Sequence, residues 1–215
     1  MKTIRTFLAI PLPPPLARSA TQWIHEMKNG AGNRNRPTEK SPAENRATVS
    51  PESSVSAMGI KWVPEDNLHL TLKFLGEVDN VEVPQVCEIV EAVCEPLDPF
   101  ELIFVGAGFL PDKDRARVLT VSIEDPTDTL AKIVSQMEDR FADIGFKREP
   151  RDYVPHLTLG RARSGSRRLS QQAIDLWATH ENDPLGEMTV DSVQVIGSFL
   201  DKRGPTYNIM DTVEF

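Results

Sequence analysis

Two tetrapeptides in this chain are identical: His69-Leu70-Thr71-Leu72 and, 87 positions further on (from 69 to 156), His156-Leu157-Thr158-Leu159. The chain contains only four histidines, and two of them occupy the same place in the same four-residue string. Imidazole gives or takes a proton near neutral pH, and a threonine hydroxyl can donate to a phosphate oxygen. Two such pairs facing each other would put one imidazole on either side of a phosphorus atom. In-line displacement requires that layout, with a base on the attacking water and an acid on the departing oxygen.

The elements that must carry these residues follow from their spacing. Apolar and polar residues alternate strictly in both tetrapeptides, the period of a half-buried strand. Alternate side chains of a strand share a face, so His and Thr point one way and the leucines enter the core. Continuing that parity along the first strand places Lys73 with His69, close enough to approach a phosphate. The same parity sends Phe74 to the core with Leu70 and Leu72. In the second strand Arg161, three residues past Thr158, could leave the strand near the site, although it falls on the parity opposite to His156.

Around these motifs, strands and helices interleave. Thr3 to Ile10 reads as a strand that ends where the prolines begin, followed by a helix from about Pro15 to Lys28. Ile60-Lys61-Trp62-Val63 reads as a short strand and Pro64 to Asn67 as a turn into the first motif. Val86, Ile89, Val90 and Val93 have helical spacing, as do Leu130, Ile133, Val134, Met137 and Phe141. The second of these helices is expected to open at Asp125-Pro126 and to close on a left-handed cap at Gly145. Phe100 to Val105, Val118 to Ile123, one segment near Met188 to Ile196, and Tyr207 to Phe215 read as strands. A further helix spans about Ser170 to His180. Residues 28–57 form an insertion with almost no core-forming side chains, whose composition predicts disorder. The remainder predicts an α+β domain of two similar lobes around a groove.

The chain as a whole narrows the function. Its 215 residues suit a single bilobal domain, and 40% hydrophobic with 26% charged residues describes a soluble globular protein. A net charge of −8 argues against a general binder of long nucleic acid but is compatible with a short or terminal nucleotide. Two cysteines seven positions apart, Cys87 and Cys94, are too distant for a disulfide within one helix. They read as reduced thiols of a cytoplasmic protein, and no apolar run approaches the length of a membrane span.

The residues as they stand resemble the two-histidine phosphoesterases, and among them the LigT-like RNA 2′,3′-cyclic phosphodiesterases. The resemblance is carried by Lys61-Trp62-Val63-Pro64-Glu65-Asp66-Asn67-Leu68-His69-Leu70-Thr71-Leu72-Lys73-Phe74-Leu75-Gly76 and by Pro155-His156-Leu157-Thr158-Leu159-Gly160-Arg161. It extends from Phe7-Leu8-Ala9-Ile10-Pro11 to Gly204-Pro205-Thr206-Tyr207, excluding the insertion. What it implies is a bilobal, pseudo-two-fold α+β fold with two antiparallel sheets around a central cleft and flanking helices. It also implies hydrolysis of 2′,3′-cyclic phosphate ends of RNA or oligonucleotides to 2′-phosphomonoesters, without a metal or other cofactor. By position, His69 would be the proton donor to the 3′ oxygen, His156 the proton acceptor from water, and Thr71 and Thr158 the ligands of the non-bridging oxygens. One departure stands out: many relatives carry Phe-Arg-Pro-His before the second motif, where this chain has Tyr153-Val154-Pro155-His156.

Three further residues are candidates for substrate binding: Arg161, Lys73 and Tyr207. Lys147, Arg148, Arg151, Arg161, Arg163, Arg167 and Arg168 give the second motif a local positive excess that could guide an RNA end. Tyr207 could stack on a base or pack in the core. RNA 2′–5′ ligation is the reverse chemistry on the same residues, and a non-catalytic RNA-end module is a further class. The second is disfavoured because binding alone needs no pair of proton-transfer groups. The protein is expected to act as a monomer without a membrane partner.

Overall fold

A computed structural model describes residues 2–33, 59–201 and 204–215 of the chain. Strand β1, Thr3–Pro11, runs into a helix α1 that begins at Pro14, where a missing amide proton costs nothing in the first turn. Helix α1 buries Leu16, Ala20, Trp23, Ile24 and Met27 along one stripe. It continues to Asn33, so the start of the stretch expected to be disordered is helical instead. The rest of that stretch, 34–57, lies outside the described residues.

Strand β2, Ile60–Trp62, leads through a turn of 3-10 helix at Glu65–Asn67 into β3, His69–Asp79. Helix α2, Val83–Cys94, buries Val86, Val90, Val93 and Cys94. Strands β4, Phe100–Leu110, and β5, Val118–Glu124, precede helix α3, Thr129–Asp143. The Asp125 carboxylate accepts from the Leu130 backbone amide at 2.7 Å near the start of α3, and Gly145, at φ +96°, turns the chain away at its end. Strand β6, His156–Ala162, is followed by helix α4, Gln171–Trp177, whose first turn is capped by Ser170 accepting from the Ala173 amide. The expected helix to His180 finishes as a 3-10 turn, Ala178–His180.

The single strand expected near 188–196 is in fact two, β7 at Pro184–Val190 and β8 at Ser192–Asp201. Met188 and Val190 are buried on even positions, Val193 and Val195 on odd ones, so the phase changes at the break. The two strands lie far apart in the sheet. Strand β9, Gly204–Glu214, completes it.

Eight strands follow the order β7-β4-β5-β6-β3-β1-β8-β9, with β2 beside β6 as the ninth. Every neighbouring pair is antiparallel. The order divides into two runs of four, β7-β4-β5-β6 and β9-β8-β1-β3, which meet at the two motif strands. Their junction is one residue pair, Leu70 opposite Leu157. The two separate sheets expected from the resemblance are thus hydrogen-bonded into one, joined at a narrow seam.

The four helices of the described residues all contribute side chains to one core cluster, together with Leu8, Ile10, Leu70, Leu72, Leu157 and Leu159. Leu70 and Leu157 have no exposed surface, and burial of a leucine is worth about 1.5–3 kcal/mol. A one-residue slip of either strand would expel its leucines and bury its histidine, so the core fixes which face the motifs present.

Candidate active site

The Leu70–Leu157 pair places the two motifs about a local two-fold axis. Extending an antiparallel register by one residue each way sets His69 across from Thr158, and Thr71 across from His156. All four side chains then share the sheet face opposite the helices, and all four are partly exposed. The structure therefore brings together the two His-x-Thr pairs that sequence alone leaves 87 residues apart (69 to 156).

Both imidazoles are oriented in the same way. His69 Nδ1 lies 2.8 Å from the Asn67 carbonyl oxygen, and His156 Nδ1 lies 2.7 Å from the Val154 carbonyl oxygen. A carbonyl oxygen only accepts, so Nδ1 carries the proton in each ring and Nε2 is left for chemistry. Neutral, each ring offers a basic Nε2; protonated, each offers an acidic Nε2–H. Two longer-range contacts brace these rings. Asn67 donates its side-chain amide to the Pro205 carbonyl at 3.2 Å, and Tyr153 donates its hydroxyl to the Thr71 carbonyl at 3.1 Å. Burial raises the Tyr153 titration, so it remains a donor. Tyr153 lies in the departure from the family pattern, and nothing in the local sequence announces this contact.

Beyond the threonines each motif strand carries a bulge at the same place. On β3, Ala9 pairs with Thr71 and Leu8 with Lys73, leaving Leu72 unopposed. On β6, Thr120 pairs with Thr158 and Leu119 with Gly160, leaving Leu159 unopposed. An extra residue reverses the alternation of those that follow, up to the next irregularity, which on β3 is at Leu75. Two expectations fall with it. Lys73 does not share the face of His69: it is 5% exposed and lies on the helix side, where its ammonium meets Glu138 of α3 at 2.6 Å and the Lys147 carbonyl at 3.3 Å. Phe74 does not enter the core: it is 65% exposed and its ring centroid lies 5.7 Å from that of Phe7. The equivalent reversal on β6 turns Arg161 onto the face of the histidines.

The two halves therefore differ at equivalent positions. Next to His69 stands an aromatic wall: Phe7 at 4.9 Å and Tyr207 at 5.5 Å between ring centroids, with Phe74 beyond Phe7. Tyr207 packs edge-on against both Phe7 and His69, and so belongs to the wall rather than to the main core. In the other half the corresponding place holds the exposed guanidinium of Arg161. Burial lowers the titrations of both His69 and His156 from the ordinary imidazole value, and the positive charge of Arg161 lowers both further. The carbonyl hydrogen bonds oppose this without overcoming it. Of the other cations near the second motif, Arg148 is taken up by Asp139 and Arg151 by Glu149. Among the described residues no three His, Cys, Asp or Glu side chains gather in a metal-ligating group, and no helix is long and apolar enough to cross a membrane.

Comparison with known proteins places the chain in a family. Residues 46–198 match the family model described as the 2′-5′ RNA ligase superfamily. This chain belongs to that superfamily. Relatives include the RNA 2′,3′-cyclic phosphodiesterase of Methanothermobacter thermautotrophicus, 35% identical over 71% of this chain and 80% of its own length. That of Aquifex aeolicus is 28% identical over 81% of this chain and 91% of its own. Solved structures share the fold at lower identity. Escherichia coli LigT complexed with 3′-AMP superposes with a TM-score of 0.68 at 21% identity, over 100% of this chain and 99% of that one. A protein of Thermus thermophilus gives 0.69, also at 21% identity, over 98% and 97%. The LigT-like α+β fold expected from the sequence is thus the one observed, with its two halves joined in a single sheet.

Proposed function

We propose that this member of the superfamily hydrolyses 2′,3′-cyclic phosphate ends of RNA or oligonucleotides to 2′-phosphomonoesters. The observation that carries the reading is the pair of imidazoles across one strand seam, each held through Nδ1 by a carbonyl and each presenting Nε2 on the same face. The relatives named RNA 2′,3′-cyclic phosphodiesterase supply the substrate class.

In this reading a cyclic phosphate sits between the histidines, with Thr71 and Thr158 donating to its non-bridging oxygens. Neutral His156 takes a proton from water through Nε2 as the water oxygen bonds to phosphorus. The bond from phosphorus to the 3′ oxygen breaks on the opposite side, and protonated His69 delivers its Nε2 proton to that oxygen. The product keeps the phosphate on the 2′ oxygen, and the two histidines exchange protons with solvent before the next turnover. The step uses proton transfer and hydrogen bonding alone and needs no metal. Arg161 adds a cation to the same face, and the Phe7, Tyr207 and Phe74 wall offers an apolar surface to the terminal nucleoside.

The test is product analysis on an RNA oligonucleotide ending in a 2′,3′-cyclic phosphate, with EDTA present. A 2′-phosphate end, lost in folded His156→Ala protein, is the expected result. A 3′-phosphate end, a reaction that stops on chelation, or full activity in His156→Ala would overturn the mechanism. Joining to a 5′-hydroxyl strand would identify the reverse, ligating direction on the same residues.

A further inference from the structure

Strand β2 adds a second cation to the same face, and the chemistry so far gives it no task. Lys61 is the direct cross-strand partner of Arg161. Its neighbours Ile60 and Trp62 point to the core side, where a side chain on Gly160 would meet Ile60 Cγ2 and Trp62 Cε3 at 2.9 Å each. The absence of that side chain lets β2 close on β6 and fixes Lys61 on the opposite face, beside Arg161. Both are exposed, and neither joins any ion pair among the described residues. Like charges directly across a sheet destabilise it. On a chain of net charge −8, carboxylates to neutralise them are plentiful elsewhere. A cation pair with no carboxylate partner among the described residues, at the rim of a phosphate site, favours binding of a second anion.

We infer that Lys61, together with Arg161, binds the 5′-phosphate of the terminal nucleoside, so that the preferred substrate carries two phosphates on one ribose. The inference rests on the cyclic-phosphate reading of the histidine pair. A nucleoside bearing a 2′,3′-cyclic phosphate at the end of RNA has one neighbouring phosphate only, at its own 5′ oxygen. Arg161 lies three residues past Thr158, about 10 Å along an extended strand and less across a bulge. Its charge acts on both imidazoles, and Lys61 stands across from it on β2, which lies along the same edge of β6 as β3. The cations therefore lead away from the catalytic phosphate over the distance one ribose must span. The aromatic wall beside His69 lies in the other half, so the two halves together would orient the nucleoside across the seam. In RNA the same contact falls on the last phosphodiester.

The experiment compares kcat/KM for uridine 2′,3′-cyclic phosphate with and without a 5′-phosphate, in the parent and in Lys61→Ala, Lys61→Arg and Lys61→Glu. The parent should prefer the 5′-phosphorylated substrate by about ten-fold, the low end for a charge-assisted hydrogen bond. That preference should fall to about two- or three-fold in Lys61→Ala, where Arg161 remains, persist in Lys61→Arg, be lost in Lys61→Glu, and shrink with added salt in the parent. Equal turnover of both substrates by the parent overturns the second-phosphate site while leaving the catalytic reading in place. So does a preference undiminished in Lys61→Ala. Hydrolysis of neither substrate by the folded parent overturns both.

Discussion

The position of Lys73 gives a quantitative test of how the motif strands are built. Its ammonium and the Glu138 carboxylate are 2.6 Å apart, with side-chain exposures of 3% and 15%. Removing one partner of a buried pair costs about 3–5 kcal/mol, because the other charge stays buried without compensation. Water reaches Glu138 to a small extent, which favours the low end, near 3 kcal/mol. For a domain of this size each kcal/mol lowers Tm by about 2–4 °C, so Glu138→Leu should lower it by roughly 6–12 °C. Lys73→Met together with Glu138→Leu should recover most of that loss, since apolar side chains of similar volume replace such pairs at little cost. Thermal unfolding followed by circular dichroism reads both effects. The second readout is hydrolysis of a cyclic phosphate, which the double variant should retain within a few-fold. If it folds with a recovered Tm but loses a hundred-fold or more in kcat, the ammonium acts on the phosphate and the bulge has been misread.

Further outcomes test the proposed catalytic pair. His69→Ala and His156→Ala should each cost on the order of 10²–10⁴ in rate, and the double variant far less than the product of the two losses, as steady-state kinetics will show. The pH profile of kcat/KM should be a bell, since one ring must be protonated and the other neutral, and its limbs belong to the pair jointly. Burial and Arg161 both disfavour the charged imidazole, so the bell should lie on the acidic side of the ordinary histidine range. Arg161→Ala should move it to higher pH and Arg161→Lys should not; an unmoved bell in Arg161→Ala would separate that guanidinium from the histidines.

Much of the architecture could be read from period alone. The motif strands, the helices α2 and α3 and the left-handed turn at Gly145 follow from local patterns that the tertiary structure does not override. Helix α1 continues past Lys28 to Asn33, where helical spacing of apolar residues, the signal for its buried stripe, gives no sign of it. The merged reading of β7 and β8 missed a change of phase that was present in the sequence, between Val190 and Val193. The site was legible as far as the fourth residue of each motif and no further. A bulge leaves no mark in a run such as Leu-Lys-Phe-Leu, because the extra residue is defined by the neighbouring strand. Strict alternation therefore places Lys73 at the phosphate and Phe74 in the core, each the reverse of what β1 imposes.

The same irregularity explains how two equal motifs can make an unequal site. Without bulges, strict alternation would carry Lys73 onto the His69 face and Gly160 onto the His156 face, giving a cation on one side and nothing on the other. With them, the residue one further on is presented: Phe74 in one half and Arg161 in the other. Lys73 is then free to be neutralised inside by Glu138, while Gly160 becomes the inward position against which Ile60 and Trp62 pack. One backbone device, used at equivalent points, thus converts a symmetric pair of His-x-Thr motifs into a face with an apolar end and a cationic end. A terminal nucleotide has the same polarity, an apolar base and anionic phosphates about one ribose. Reversing the ends tests whether that match selects the direction of binding. Phe74→Arg with Arg161→Phe keeps both histidines and both threonines, yet should lose most of its turnover of a 2′,3′-cyclic phosphate, because the ribose would present its oxygens to the wrong imidazoles. A folded double variant with parental kcat/KM would mean that the His-x-Thr pairs alone set the orientation and that the two ends of the face do not contribute.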